Sequence, residues 1–189
     1  MERARIDNCK ICIMSANGFE QSELIMPLEG LREAGAIVQV ASLETGEIKG
    51  WDQKDWGKSV PVDVLIANVD VSDYDALVLP GGQMNPDILR ADEKAVQLVK
   101  DFAAAGKPIA AICHAPWLII EAGLAEGRTM TSYHSIRTDV VNAGANFVDE
   151  EVVNDSGLIT SRSPEDLPAF ISEITGFLSS LKTKETVSA

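Results

Sequence analysis

Short apolar runs alternate with amphipathic stretches along most of the chain, which is the pattern of buried parallel strands joined by helices. Lys10 to Ala16 is apolar at almost every position and reads as a strand covered on both faces. Beyond the turn at Asn17-Gly18, Leu24, Ile25, Leu28, Leu31 and Ala34 recur at helical spacing, with Ser22 or the neighbouring glutamates as caps and Gly35 as the stop. Ile37 to Leu43 supplies the next strand. The opening is therefore a βαβ unit, which calls for a parallel sheet with right-handed crossovers and helices on both faces.

The pattern then loosens. Gly46 to Val62 carries Gly46, Gly50 and Gly57 around Trp51 and Trp56, and it reads as a short hairpin excursion whose tryptophans pack rather than cage a ligand. Regularity returns with a strand at Asp75 to Pro80 that runs straight into Gly81-Gly82-Gln83. A short helical stretch at Pro86 to Arg90, a helix from Asp92 to Ala105 and a strand from Lys107 to Ile112 follow. Further on lie a strand near Arg128 to Ser132, a helix near Ile136 to Ala143 and short strands near Asn146 to Val148, Glu151 to Asn154 and Leu158 to Ser161. The last two form a hairpin across Asp155-Ser156-Gly157. A final helix, Pro164 to Leu181, takes Ser163 as its N-cap, and a polar tail over 182–189 is expected to fray. A single domain with its core from about residue 9 to 181 accommodates all 189 residues.

The candidate chemistry concentrates at Ala111-Ile112-Cys113-His114-Ala115-Pro116-Trp117, where a buried strand must turn sharply into a helix. Pro116 suits a first helical turn and Gly123 ends that helix. Small residues at 111 and 115 permit the tight turn of a nucleophile elbow, which pushes the middle side chain into a crevice. A thiol at a helix N-terminus beside His114 is expected to ionise below the ordinary thiol range. A cysteine in an apolar run is by itself a small buried hydrophobe; the junction, the adjacent histidine and the proline mark Cys113 as a nucleophile. Cys9 and Cys12 have C-x-x-C spacing, but residues three apart on a strand point to opposite faces, which argues against a redox or metal pair. With two histidines, one accessible cysteine and no ligand spacing, no metal is indicated.

Composition narrows the setting. A formal net charge of −13 without any Lys/Arg cluster argues against a nucleic-acid partner. No run approaches the roughly 20 apolar residues that span a bilayer, so no membrane partner is expected. Met1-Glu2-Arg3-Ala4-Arg5 leads into a strand rather than a signal-peptide core, and an odd number of cysteines, 3, fits a reducing compartment. A cytoplasmic protein is the expectation.

In an open parallel sheet, ligands gather at the carboxyl ends of the strands, near the switch in strand order. The loops Gly18-Phe19-Glu20, Pro80-Gly81-Gly82 and Ile112-Cys113-His114 leave such ends. They bring together a carboxylate, backbone donors and a thiol, the parts that thiol-based carbonyl chemistry needs. Read from its position alone, Glu20 is more readily an exposed helix-start charge favoured by the dipole than a catalytic group.

The ordered segments "GFEQSEL", "LREAGAIVQVAS", "YDALVLPGG", "GKPIAAICHAPWLI", "EAGLAEGRTMTSY", "DVVNAGANFVDEEVV" and "LITSRSPEDLPAF" resemble the ThiJ/PfpI superfamily, in particular its intracellular protease I and general stress protein branch. The resemblance runs from about Lys10 to Leu181. It implies a three-layer α/β sandwich with a mostly parallel sheet, flavodoxin-like and related to class I glutamine amidotransferases. It also implies a catalytic Cys113 with His114, a Glu20 carboxylate hydrogen-bonded to the thiol, and an oxyanion pocket from the backbone of Gly82 and His114. Asp87 would come from a neighbouring subunit of a homodimer or a hexamer of dimers.

Two positions depart from the family pattern. Ala115 stands where glycine is usual, which predicts a pocket narrower by a methyl group, and His134 lies outside the usual motif. The expected pocket residues are Phe19, Gly81, Gln83, Met84, Trp117, Tyr133 and His134. The implied activity is that of a stress-related, cofactor-free cysteine hydrolase acting on small carbonyl adducts, as a deglycase or glyoxalase does, or on peptides. The alternative is a redox stress sensor or holdase chaperone that works through oxidation of Cys113.

Overall fold

The computed structural model describes residues 4–188 of the chain; residues 1–3 and 189 lie outside the described residues. The strands are β1 (Lys10–Met14), β2 (Phe19–Glu20), β3 (Ile37–Ser42), β4 (Glu47–Asp52), β5 (Asp55–Pro61), β6 (Val64–Leu65), β7 (Ala76–Leu79), β8 (Ile109–Ile112), β9 (Thr129–Met130), β10 (Asn146–Phe147), β11 (Val152–Asp155) and β12 (Leu158–Ser161). The α-helices are α1 (Gln21–Glu33), α2 (Met84–Arg90), α3 (Glu93–Ala104), α4 (Pro116–Glu121), α5 (Arg137–Asn142) and α6 (Leu167–Ser188).

Seven strands form the central sheet in the order β11-β12-β8-β7-β1-β3-β6, parallel throughout except for β11 at one edge. Alternation along each strand divides the core. Ile11, Ile13, Ala76, Val78, Ala110, Ile112 and Ile159 face a layer that includes Leu24, Leu28 and Leu31 of α1 and Phe170, Ile174 and Leu178 of α6. Cys12, Met14, Leu77, Leu79, Ile109 and Ala111 face the layer of Leu89, Leu98, Phe102, Leu118 and Val140. The fold is thus the α/β sandwich with helices on both faces of a mostly parallel sheet, with both sides of every central strand apolar. Cys9 and Cys12 fall in opposite layers, as strand geometry requires, and both are buried free thiols.

The hairpin excursion is present: β4 and β5 pair antiparallel, Trp51 opposes Trp56 edge-to-face with ring centroids 5.6 Å apart, and β4 also pairs with β2. Three details differ from expectation. The final α-helix starts at Leu167 after a 3-10 turn over Pro164–Asp166, and Ser163 makes no side-chain capping bond there. Its hydroxyl instead bonds Glu165. The helix also continues through the polar segment to Ser188 rather than fraying at Leu181. Finally, β6, only two residues long, adds an edge to the sheet beyond β3.

β1 is flanked by β7 on one side and β3 on the other, so the strand order reverses between β1 and β7. The loops leaving β1, β7 and β8 meet at that switch point, where an open α/β sheet places its ligands.

Candidate active site

Cys113 stands immediately after β8 with φ at +65°, in the left-handed region that a non-glycine residue adopts only under constraint. The constraint is visible in the backbone. Cys113 N–H donates to the Ser161 carbonyl at 3.1 Å, the Cys113 carbonyl accepts from Tyr133 N–H at 2.9 Å, and Ala115 N–H closes onto the Ile112 carbonyl at 3.0 Å. These bonds pin the elbow between the end of β12 and the segment after β9.

The loop after β7 lies directly against the sulfur. A Cβ on Gly81 would stand 2.5 Å from a Glu23 carboxyl oxygen and 2.6 Å from both Cys113 Cβ and the Ile112 carbonyl oxygen, so only glycine fits. Gly82, at φ +79°, packs on the first loop, where a Cβ would come within 2.5 Å of Glu20 N. This close approach lets the Gly82 N–H, together with the His114 N–H, point at Cys113.

The carboxyl group beside the thiol belongs to Glu23, not Glu20. Glu23 is fully buried on the inner stripe of α1 with Leu24, Pro27, Leu28 and Leu31, accepts from Gly81 N–H at 3.1 Å and hydrogen-bonds Cys113. Burial first, then the nearby Glu20 carboxylate, push the Glu23 carboxyl up to about 8, so it is a neutral acid at pH 7. Its Oε1 is buried with no hydrogen-bond partner among the described residues, an environment far less costly to a neutral acid than to a carboxylate.

Glu20 caps α1 instead, its Oε2 accepting from Glu23 N–H at 2.9 Å and from the Ser22 hydroxyl. The three-residue offset is that of a helix start: the cap lies on the rim, and the residue one turn on points inward.

The thiol itself is not depressed as its place before a helix suggested. Burial, and next the proximity of Glu23, raise it, while the Gly82 and His114 N–H groups pull it down. α4 has only six residues and offers a small dipole against the desolvation of a group 5% exposed. With Glu23 protonated its charge is absent, and a neutral acid can donate to the sulfur rather than repel it.

His114 is buried with Nδ1 3.2 Å from Cys113 Sγ and Nε2 3.1 Å from Ser135 Oγ. Burial, followed by the charge of His134, lowers its pKa, which keeps the imidazole neutral at pH 7. Its ring stacks on Tyr133 at 4.9 Å and meets Trp117 edge-on at 5.2 Å. Trp117 in turn donates to Asp139 at 2.8 Å and lies under the Arg90 guanidinium, tying α4 to α5 and α2.

The remaining expected residues divide. Tyr133 and His134 line an open cleft of about 610 Å³ together with Arg137, Asp149 and Arg162. Gln83 and Met84 are exposed beside the glycine loop, while Gly81 is buried. Phe19 is fully buried with its ring against Gly50, so it belongs to the core and not to a rim. The Ala115 methyl is fully buried in the layer opposite Cys113. Asp87 is exposed on α2, and the bonds of His114 within its own chain go to Cys113 and Ser135 rather than to Asp87.

A strained thiol, two convergent N–H groups and a buried acid at the switch point define a nucleophile-elbow protein of the α/β class. The DJ-1/PfpI family model matches residues 9–176, and the chain belongs to that family. Among curated relatives, "Deglycase TK1284" of Thermococcus kodakarensis is 47% identical over 169 residues, covering 89% of this chain and 99% of the relative. "General stress protein 18" of Bacillus subtilis is 45% identical over 171 residues, covering 89% and 97%. Among solved structures, Drosophila melanogaster DJ-1beta superposes with a TM-score of 0.82 at 34% identity, covering 91% of each chain.

Proposed function

We propose that this protein is a cysteine-dependent hydrolase of small carbonyl adducts, working in the cytoplasm without a cofactor, with Cys113 as its nucleophile and Glu23 as the acid beside it. The observation that carries the reading is the position of the Cys113 sulfur, pinned at a positive-φ elbow between the Gly82 and His114 amides and against a buried, protonated carboxyl. The deglycase name of a relative at 47% identity supports the substrate class.

The roles follow from geometry. His114 Nδ1 takes the thiol proton across 3.2 Å, and the thiolate receives hydrogen bonds from the Gly82 and His114 amides and from the neutral Glu23. Sγ then takes the place of the amine or thiol on the carbinol carbon of the adduct, the leaving group carrying off the proton held by His114, and a hemithioacetal forms. The oxygen that gains charge is stabilised by backbone N–H groups already held in place by the glycine loop and the elbow. The hydrogen on the hemithioacetal carbon moves as a proton to the neighbouring carbonyl carbon through an enediol, an internal redox change that needs no outside oxidant. Water hydrolyses the resulting thioester, returning the thiol and releasing the carbon fragment as a hydroxy acid.

Asp87 enters this scheme from a second copy of the chain. It is exposed on α2 beside the exposed apolar side chains of Met84 and Ile88, a combination that suits a self-complementary contact.

The test is a substrate panel of methylglyoxal, methylglyoxal-modified amino acids and chromogenic peptides, run with the natural protein and Cys113→Ser. The reading expects many product equivalents per chain from the modified amino acids and none from the variant. One oxidation event per Cys113 without turnover would make the protein a sensor instead.

A further inference from the structure

His114 is held by two hydrogen bonds, one on each ring nitrogen, and the scheme above uses only one of them. Nδ1 faces Cys113 Sγ at 3.2 Å, and Nε2 faces Ser135 Oγ at 3.1 Å. Stacking on Tyr133, with ring planes inclined by 28°, and the edge contact with Trp117 fix the plane of the imidazole. They do not decide which nitrogen carries the proton. A neutral imidazole has one donor and one acceptor nitrogen, and a hydroxyl can answer either.

We propose that Ser135 is a positioning residue for the reaction: its Oγ accepts the His114 Nε2–H and so holds the imidazole in the tautomer whose Nδ1 lone pair faces the Cys113 thiol. The inference rests on the hydrolase reading, because it is the departure of the thiol proton that demands an acceptor at Nδ1. Were Nδ1 protonated, the ring would face the sulfur with a donor and could not take its proton.

The proton balance is simple. The S–H bond breaks and an Nδ1–H bond forms, giving a thiolate and an imidazolium; the Ser135 oxygen then carries the Nε2–H of a cation, a stronger hydrogen bond than that of the neutral ring. The proton later leaves with the amine.

Two features make Ser135 fit for the role. It lies in the 3-10 turn His134–Ile136, and the residue before that turn, Tyr133, donates its N–H to the Cys113 carbonyl at 2.9 Å, so hydroxyl and sulfur are held to one backbone unit. Ser135 is also exposed, which leaves its own hydroxyl hydrogen able to donate outward. A carboxylate from a second copy, such as Asp87, would therefore act on His114 through this hydroxyl or by displacing it.

The experiment uses the full-length protein labelled with 15N-histidine, with His134→Asn to assign the two imidazoles, and reads the His114 tautomer from long-range 1H–15N correlations. It is paired with the rate at which iodoacetamide alkylates Cys113, which needs no substrate. The natural protein should show His114 as the Nε2–H tautomer. Ser135→Ala should mix the tautomers and slow alkylation by roughly tenfold, a fraction of the 10²–10⁴ that full general-base action supplies; Ser135→Thr should restore both. A natural protein with His114 as Nδ1–H, or a Ser135→Ala protein with unchanged tautomer and alkylation rate, would overturn the proposal. Failure of the hydrolase reading shows separately, as turnover that survives Cys113→Ser.

Discussion

The Glu23 carboxyl and the Cys113 thiol hydrogen-bond one another beneath Gly81, both nearly or wholly withdrawn from solvent. Such a pair cannot hold two charges in that space, and it keeps a proton on Glu23 at neutral pH. The first prediction separates this acid from the one on the rim. Glu23→Gln should lower turnover by about 10²-fold or more, in the range of a lost acid–base group. Glu20→Gln should leave the chemical step within a fewfold, lower the Glu23 pKa by removing the neighbouring charge, and cost about 1 kcal/mol of stability for a weakened helix cap. Steady-state rates and thermal melts of the two variants check this.

The raised pKa of Glu23 also has a sign in stability. The folded state keeps the proton up to about 8, whereas the unfolded chain releases it at the ordinary glutamate value. Stability from this group is therefore complete below the unfolded pKa and is lost as pH rises through the folded one, at up to about 1.4 kcal/mol per pH unit. Glu23→Gln cannot titrate at this position. Denaturant melts from pH 4 to 9 should show the natural protein losing stability relative to Glu23→Gln across roughly pH 4.5 to 8, and parallel curves would contradict the assignment.

Two glycine substitutions should move in opposite directions. Gly81→Ala drives a methyl into Glu23, Cys113 and the Ile112 carbonyl, and two of those contacts are not flexible side-chain ends. A loss of roughly 1–3 kcal/mol and of nearly all activity is expected. Gly176→Ala, inside α6 with nothing within 4 Å of the new methyl, should gain about 0.5–1 kcal/mol and leave activity unchanged. Differential melting resolves both.

Composite sites predict complementation. Mixing inactive Cys113→Ser with inactive Asp87→Ala chains should restore part of the activity once subunits exchange, because some mixed dimers regain an intact site. No recovery, with exchange proven by mass spectrometry, would leave His114 to Ser135 alone.

What could be read in the sequence was whatever depended on apolar runs and on the strand-to-helix junction. β1, β7 and β8 are buried on both faces and announce themselves as continuous hydrophobic stretches, and Cys113 is placed by the end of one of them. The site's acid was harder to see, because Glu20 occupies the loop where a functional carboxylate is sought, while Glu23 lies inside a helix start. Its signal was nevertheless present: Glu23 shares the stripe of Leu24, Pro27, Leu28 and Leu31, and an acid on the buried face of an amphipathic helix calls for a partner. Phe19 was misplaced for the mirror-image reason, since loop position suggested exposure while an aromatic ring beside Gly50 had core to fill. Ser135 gave no signal, because a hydroxyl in a turn is defined only by what lies across from it.

The most direct test of the account is site-resolved alkylation coupled to turnover. Burial raises all three thiols, but among them Cys113 alone has an imidazole nitrogen shown beside it to take its proton, His114 Nδ1 at 3.2 Å, so iodoacetamide at pH 8, followed by peptide mass spectrometry, should label Cys113 well ahead of Cys9 and Cys12. Activity should disappear in proportion to the Cys113 label and reach zero at one label per chain. Equal labelling of all three thiols, or turnover that persists when Cys113 is fully alkylated, would contradict a Cys113-centred site.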